Sequence, residues 1–344
     1  MWNRKPFLSI VGFALLVLFA ITAYADKEPV ANLSKGGKGE IFFYGPNTST
    51  FKDILVGGGS DDRVIIFGDL KMPKKSSGKV PVAIISHGLS GVREDDSVVA
   101  RAMNDIGMAA FIIDHNKSRN ISSGEEANRK ISDAMRVADV YAALKVLSTH
   151  PEIDSHRIAV IGRSRGGSTA LFAASEKIRQ SFCKGDLRFA AHVAFYPVCH
   201  VQFRNIKFTG APILMLLAEK DNITPAAMCM DYAKRIESSG TNVKIVVYKG
   251  AHHAFTSPRL SGQARSHPHL ADYSNCLDRY VQLQDDGTWF FPYMQKTFDE
   301  YTDWDELTAD CQLKGKGKIG DPRRARKKSL KELQTFFKQI FDLT

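Results

Sequence analysis

Ile158-Ala159-Val160-Ile161-Gly162-Arg163-Ser164-Arg165-Gly166-Gly167 is the stretch on which the reading of the whole chain turns. An apolar, largely β-branched run leads straight into Gly-x-Ser-x-Gly, and a helical pattern follows. A serine hydroxyl is a poor nucleophile unless it is exposed on a tight turn beside a base, and small residues two positions either side let strand and helix close around such a turn. The pattern therefore predicts a strand, a turn carrying Ser164 as nucleophile, and a helix. Five residues alone would also fit a Gly-rich turn without chemistry; the strand before and the helix after favour the catalytic reading.

Outward from this turn the chain alternates between the two periodicities. Val64 to Phe67, Val80 to Ser86, Met108 to Asp114, Arg157 to Gly162, Phe189 to Phe195, Pro212 to Ala218 and Val243 to Tyr248 read as strands. Asp95 to Ile106, Ala127 to Ser148, Gly166 to Gln180 and Pro225 to Ser238 read as helices. Short, continuously apolar strands separated by helices predict an α/β architecture of the α/β-hydrolase type, with a mostly parallel central sheet covered by helices on both faces and ligands collecting at the strands' carboxyl ends. Residues 256–321 break the rhythm with Pro, Asn, Gly and the cluster Trp289-Phe290-Phe291-Pro292-Tyr293, and read as an insertion before a last helix, Pro322 to Phe341.

A nucleophilic serine needs a base and an acid, expected in the order Ser, Asp or Glu, His. His252 and His253 both follow the strand ending at Tyr248, so either could reach the sheet edge of Ser164. Asp221 stands just past a strand end and just before a helix, where it could hold the imidazole tautomer; Glu219 competes but lies nearer the strand. The developing oxyanion requires two backbone N–H donors. Arg165, next after Ser164, supplies one, and Leu89 in His87-Gly88-Leu89-Ser90-Gly91, after the strand ending at Ser86, is the choice for the other. Arg163, Arg165 and Arg119 could contact a substrate carboxylate or simply form structural ion pairs.

The segment before the first strand divides in two. Arg4 and Lys5 precede an apolar run from Phe7 to Thr22, closed by Ala23-Tyr24-Ala25, so residues 1–25 read as a signal peptide cut before Asp26, with an uncleaved anchor as the alternative. Residues 26–59, polar and Gly-rich with short β-type runs such as Ile41 to Tyr44, read as a leading arm, and 60–344 as the hydrolase domain. The chain of 344 residues carries 47 basic and 37 acidic side chains, a net +10; cleavage would remove two basic residues and leave 45 minus 37, or +8. Much of that excess lies between Lys314 and Lys328 and reads as a solvated helix face; without zinc-finger or RNA-binding spacing it gives no case for nucleic acid. His115, His200, His267 and His269 lack metal-ligand spacing, so neither a metal nor a cofactor is expected. Export makes disulfides plausible, and five cysteines allow five choices of the odd one times three pairings, fifteen arrangements.

The His87-Gly88 loop, Gly162-Arg163-Ser164-Arg165-Gly166-Gly167, Asp221 with Thr224-Pro225, and Tyr248-x-Gly-Ala-x-His253-x-Phe255 together resemble the dienelactone hydrolase family, over about residues 60–255 and the final helix. The resemblance implies a hydrolase of small esters or lactones without a cofactor, and it selects His253, two residues before Phe255, as base. The namesake enzymes use cysteine where this chain has Ser164, which weakens the case for lactones. Phe195-Tyr196-Pro197-Val198-Cys199 and Thr224-Pro225-Ala226-Ala227-Met228-Cys229 resemble exported members with a cysteine in each segment, implying a Cys199–Cys229 bridge; Cys276 with Cys311 would then pair, leaving Cys183 free. The expectation is an exported, periplasmic or secreted serine hydrolase acting on a small-molecule ester or lactone, not inserted in the membrane once cleaved. Its rivals are a peptidase or acyltransferase with the same triad, or a binding protein that kept the fold.

Overall fold

The computed structural model describes residues 28–57, 62–74, 78–122, 124–260, 262–299, 304–321 and 323–343. The segment read as an export signal, 1–25, lies outside the described residues. The strands of the main sheet are β1 (Gly39–Pro46), β2 (Arg63–Lys71), β3 (Val80–Ser86), β4 (Ala109–Ile113), β5 (Ile153–Arg163) and β6 (Ala191–Phe195), followed, after a short β7 (Val201–Phe203) outside that sheet, by β8 (Ile213–Ala218) and β9 (Val243–Tyr248). Their order is β1-β2-β4-β3-β5-β6-β8-β9. Pairing is parallel from β4 through β9 and antiparallel for β1 with β2 and β2 with β4.

Burial explains the strand compositions. β3, β6 and β8 are buried at every position, as a strand covered on both faces requires, whereas β9 at the edge exposes Lys244 and Val247. Alternate side chains of one strand feed opposite layers: Val82 and Ile84 join the core that contains α4 (Asp133–Leu147), and Ala83 and Ile85 join the core beneath α2 (Glu94–Asn104) and α9 (Arg323–Phe341). On α9 the buried stripe Ala325, Ser329, Leu333, Phe336, Phe337 and Phe341 faces the sheet, and the exposed Lys327, Lys328, Lys331 and Lys338 lie away from it. Each large side chain so buried stabilises by roughly 1.5–3 kcal/mol before conformational entropy is charged against it.

Three expectations are corrected. The leading segment contributes β1, paired with β2 over its whole length, and α1 (Phe51–Leu55), capped by Thr50, so it is part of the sheet. The helix expected over 127–148 is two, α3 (Gly124–Lys130) and α4, because the Ser132 hydroxyl accepts from Met135 N–H at 3.0 Å and starts a new helix. Likewise 166–180 divides into α5 (Arg165–Phe172) and α6 (Glu176–Phe182), the second started by Ser175. A run of helical periodicity does not show such a break, because the caps are themselves compatible with the pattern. After α7 (Ala226–Ser238), the segment read as an insertion holds β10 (Arg265–Ser266), β11 (Val281–Leu283), β12 (Trp289–Phe291), β13 (Lys296–Phe298), α8 (Trp304–Leu307) and β14 (Lys318–Ile319). It builds a four-stranded sheet, β13-β12-β11-β7, onto the strand from before α7. Trp289 reaches the main core through Phe51, at 5.7 Å between ring centres, and Phe51 meets Phe172 at 4.9 Å.

The interior also holds a sealed polar chain. Ser86 Oγ lies 2.9 Å from His115 Nε2, His115 Nδ1 lies 2.7 Å from Asp139 Oδ2, and Arg119 donates two bonds to the same carboxylate at 2.8 and 2.9 Å. Ser86, His115 and Asp139 are wholly buried, so this Ser-His-Asp set meets no substrate. Burial, opposed by the Asp139 hydrogen bond, lowers the His115 pKa from 6.5 to about 4, and burial lowers His192 to about 4 as well. A base whose pKa is depressed in the fold gives stability that is fully present above pH 6.5 and is lost as pH falls toward 4, because only the unfolded chain takes up the proton in that window. Asp96 and Asp114, raised by burial, act in the opposite sense. The urea midpoint is expected to fall from pH 7 to pH 5, and His192→Leu should flatten that fall; an equal slope in the variant would contradict the assignment.

Candidate active site

Ser164 occupies the turn between β5 and α5 with φ 54° and ψ −119°, a backbone state that costs a non-glycine residue of order 1–3 kcal/mol. The flanking backbone holds it there. A Cβ on Gly162 would stand 1.7 Å from the Gly166 carbonyl oxygen, and one on Gly166 would stand 2.1 Å from the Ser86 carbonyl oxygen. Only hydrogen at both positions lets β5, α5 and β3 come together. Ser164 N–H donates to Phe195 O at 2.9 Å, which ties the turn to the end of β6.

Ser164, His253 and Asp221 are brought together from three loops at the carboxyl ends of the strands. Ser164 Oγ is 2.9 Å from His253 Nε2, and His253 Nδ1 is 2.8 Å from Asp221 Oδ2. The Asp221 carboxylate is itself oriented: its Oδ1 accepts from Ile223 N–H at 3.0 Å and Thr224 N–H at 2.8 Å. Thr224 Oγ1 lies 3.0 Å from Asp221 Oδ2, 3.1 Å from His253 Nδ1 and 3.2 Å from Tyr196 O. Imidazole and carboxylate are buried while Ser164 stays partly open. A carboxylate on Nδ1 leaves the Nε2 lone pair facing the hydroxyl, the geometry in which imidazole can take a proton from an attacking serine. His252 turns elsewhere and forms no bond to Ser164, and Glu219 accepts from Gly250 N–H at 2.8 Å, bracing the histidine loop.

Gly88 passes beside the serine; a Cβ on it would stand 3.7 Å from Ser164 Cβ. The backbone N–H groups of Leu89 and of Arg165, the first residue of α5, have no acceptor among the described residues. Both therefore remain able to receive a negative oxygen. The arginines separate by environment. Arg163 is buried against Asp95 and Asp96, with its Nη2 2.6 Å from Asp96, and Arg119 is bound to Asp139; both are structural ion pairs. Arg165, partly open, pairs with Asp133 at 3.0 Å.

Cys199 and Cys229 are 2.07 Å apart at sulfur, Cys276 and Cys311 2.10 Å, and Cys183 is free and buried. The first pair joins the loop after β6 to α7, whose entry carries Thr224 and Asp221; the second lies within the insertion. Tyr196, Thr224 and the end of the insertion were not assigned to the site from sequence. The Tyr196 ring meets His253 edge-on at 4.8 Å, and Gly320 N–H donates to His253 O at 2.9 Å, so the insertion backs the histidine. Thr224-Pro225 was visible as a motif, but which oxygen the hydroxyl touches depends on β6 arriving beside it. The four histidines weighed for a metal do not converge: His115 is in the sealed chain, His200 stacks on Trp304 at 3.7 Å, and the rings of His267 and His269 lie 5.8 Å apart.

The dienelactone hydrolase family's model matches residues 66–280. Over 187 residues the chain is 27% identical to a Bradyrhizobium protein named "Probable 2-oxo-3-(5-oxofuran-2-ylidene)propanoate lactonase", covering 52% of this chain and 75% of that one. A solved structure of a dienelactone hydrolase-like promiscuous phosphotriesterase from metagenomic libraries superposes with a TM-score of 0.53 at 14% identity, covering 89% of this chain and all of that one; at such identity the likeness speaks for the α/β-hydrolase fold. With the family's pattern matched across more than half of its length on that fold, the chain belongs to the dienelactone hydrolase family.

Proposed function

We propose that this protein is an exported serine hydrolase that opens a carboxylic ester or lactone through an acyl-enzyme. The observation that carries the reading is the continuous contact from Ser164 Oγ through the His253 ring to Asp221. Ser164 Oγ attacks the carbonyl carbon while His253 Nε2 takes the hydroxyl proton; the carbonyl oxygen becomes an anion received by Leu89 N–H and Arg165 N–H. Collapse breaks the bond to the alcohol oxygen, which leaves with the proton from His253. Water then repeats the sequence on the acyl-enzyme, releasing the acid and restoring Ser164. Asp221 holds the imidazole tautomer and favours the imidazolium, with Thr224 as its brace. The lactonase name of the Bradyrhizobium relative supports a lactone as one form of the substrate.

Export rests on the character of residues 1–25 and on the two cysteine pairs at bonding distance, which suit an oxidising compartment. Among the described residues no helix is long and apolar enough to cross a membrane. In this reading 1–25 is removed before Asp26, the catalytic domain takes in β1 of the leading segment together with 60–344, and 256–321 is inserted before its last helix.

A fluorophosphonate probe should label the wild-type protein at Ser164, and Ser164→Ala should abolish both labelling and turnover of a small aryl ester with an unchanged melting temperature. Turnover by the variant at the wild-type level would remove the proposal. Thr224→Val should lower kcat about tenfold, the loss of roughly one hydrogen bond to a charged group, with KM little changed; an unaltered kcat would deny Thr224 its bracing role.

A further inference from the structure

The loop His87-Gly88-Leu89 is gripped from the interior at three successive carbonyls. His87 O accepts from Arg136 Nη1 at 3.0 Å. Gly88 O accepts from His87 Nδ1 at 2.6 Å, and also from Gly91 N–H at 3.3 Å; the proton is on Nδ1 because His87 Nε2 accepts from His115 N–H at 3.1 Å. Leu89 O accepts from Asn116 Nδ2 at 3.1 Å, and Asn116 Oδ1 in turn lies 3.4 Å from Arg136 Nη2. In a trans peptide the C=O and the following N–H point opposite ways. Holding Gly88 C=O inward therefore turns Leu89 N–H away from its anchor, free of any acceptor.

Arg136 is the unusual member of this grip. It is 0% exposed, and among the described residues its Nε has no partner and no carboxylate is in ion-pair contact with its guanidinium; Asp133 and Asp139, on the same helix, act on it from further off while bound to Arg165 and to Arg119 and His115. Burial lowers its pKa to about 9, which leaves it charged at neutral pH. A buried charge without a counter-ion in contact is costly and is normally paired. The cost has a use if negative charge arrives in front of the loop during the reaction.

We propose that Arg136 is a positioning residue of the oxyanion site: it fixes the His87 carbonyl directly and the Leu89 carbonyl through Asn116, presents Leu89 N–H to the tetrahedral oxygen, and favours that oxygen's negative charge from behind. The inference deepens the serine-hydrolase reading and rests on it. The test compares the full-length protein with Arg136→Met, Arg136→Lys and Asn116→Ala. Fluorophosphonate labelling, kcat and KM on p-nitrophenyl acetate, and affinity for phenylboronic acid, which adds Ser164 Oγ to boron as an anionic tetrahedral adduct, are measured beside near-UV circular dichroism. Arg136→Met should lose roughly 100-fold in kcat, as for loss of an oxyanion donor, with KM within about threefold. Its boronate affinity should fall by a comparable factor, and Arg136→Lys, which keeps the charge, should recover part of both. A folded Arg136→Met with kcat within about twofold of wild type, or with lower kcat but unaltered boronate affinity, overturns the role. If Arg136→Met does not fold, Asn116→Ala decides by the same paired fall or its absence. A wild type that ignores the fluorophosphonate overturns the serine-hydrolase reading and this inference with it, whereas a reactive wild type with indifferent variants overturns the role of Arg136 alone.

Discussion

β5, α5 and β3 meet backbone to backbone at Gly162, Gly166 and the Ser86 carbonyl, with no room for a Cβ at either glycine. No side chain fits there. That contact is what lets Ser164 keep a left-handed φ and stand clear of the sheet, and the packing of three core elements outweighs the local strain. Everything else about the site is arranged around a serine that cannot move: His253 and Asp221 come to it from loops whose own strands, β8 and β9, are paired in register with the rest of the sheet.

Charge is distributed on the same logic. Arg163 answers Asp95 and Asp96, and Arg119 answers Asp139, so each guanidinium is compensated and serves to hold α2 or α4 against the loops around the site. Removing one partner of such a pair would leave an uncompensated charge, which is why these residues are poor candidates for substrate contact. Arg136 breaks the pattern: its hydrogen-bond partners are the His87 carbonyl, in the loop beside Ser164, and the Asn116 side-chain amide. The sealed Ser86-His115-Asp139 chain lies directly behind that loop, since His115 N–H holds His87. Two Ser-His-Asp sets thus share one molecule, and burial alone assigns them different work: the exposed hydroxyl can meet a carbonyl and the buried one cannot.

The insertion belongs to the site as much as to the periphery. Its last strand passes His253, with Gly320 N–H on the histidine carbonyl, while its small sheet grows from β7 just beyond the Cys199 position. The acid loop is held from two sides, by the Cys199–Cys229 link into α7 and by Asn222, whose amide donates to Asp272 at 2.6 Å and to Lys316 O at 3.1 Å.

Strand and helix periodicity and the glycines around Ser164 were legible in the chain because each depends on a few neighbouring residues: apolar runs that suit a sheet covered on both faces, and small residues where a turn must be tight; the choice of His253 over His252 came from the family resemblance. What only the tertiary structure decided depends on groups that meet from distant positions. Helix breaks at Ser132 and Ser175, the entry of Gly39–Pro46 into the main sheet and the small sheet on β7 are choices among locally compatible patterns, settled by packing. Whether Arg163, Arg119 and Arg136 are paired or left alone is invisible in a sequence, because a counter-charge acts through distance in space: folding alone brings Asp96 to Arg163 and Asp139 to Arg119, and so takes from Arg136 the carboxylates of its own helix, Asp133 and Asp139.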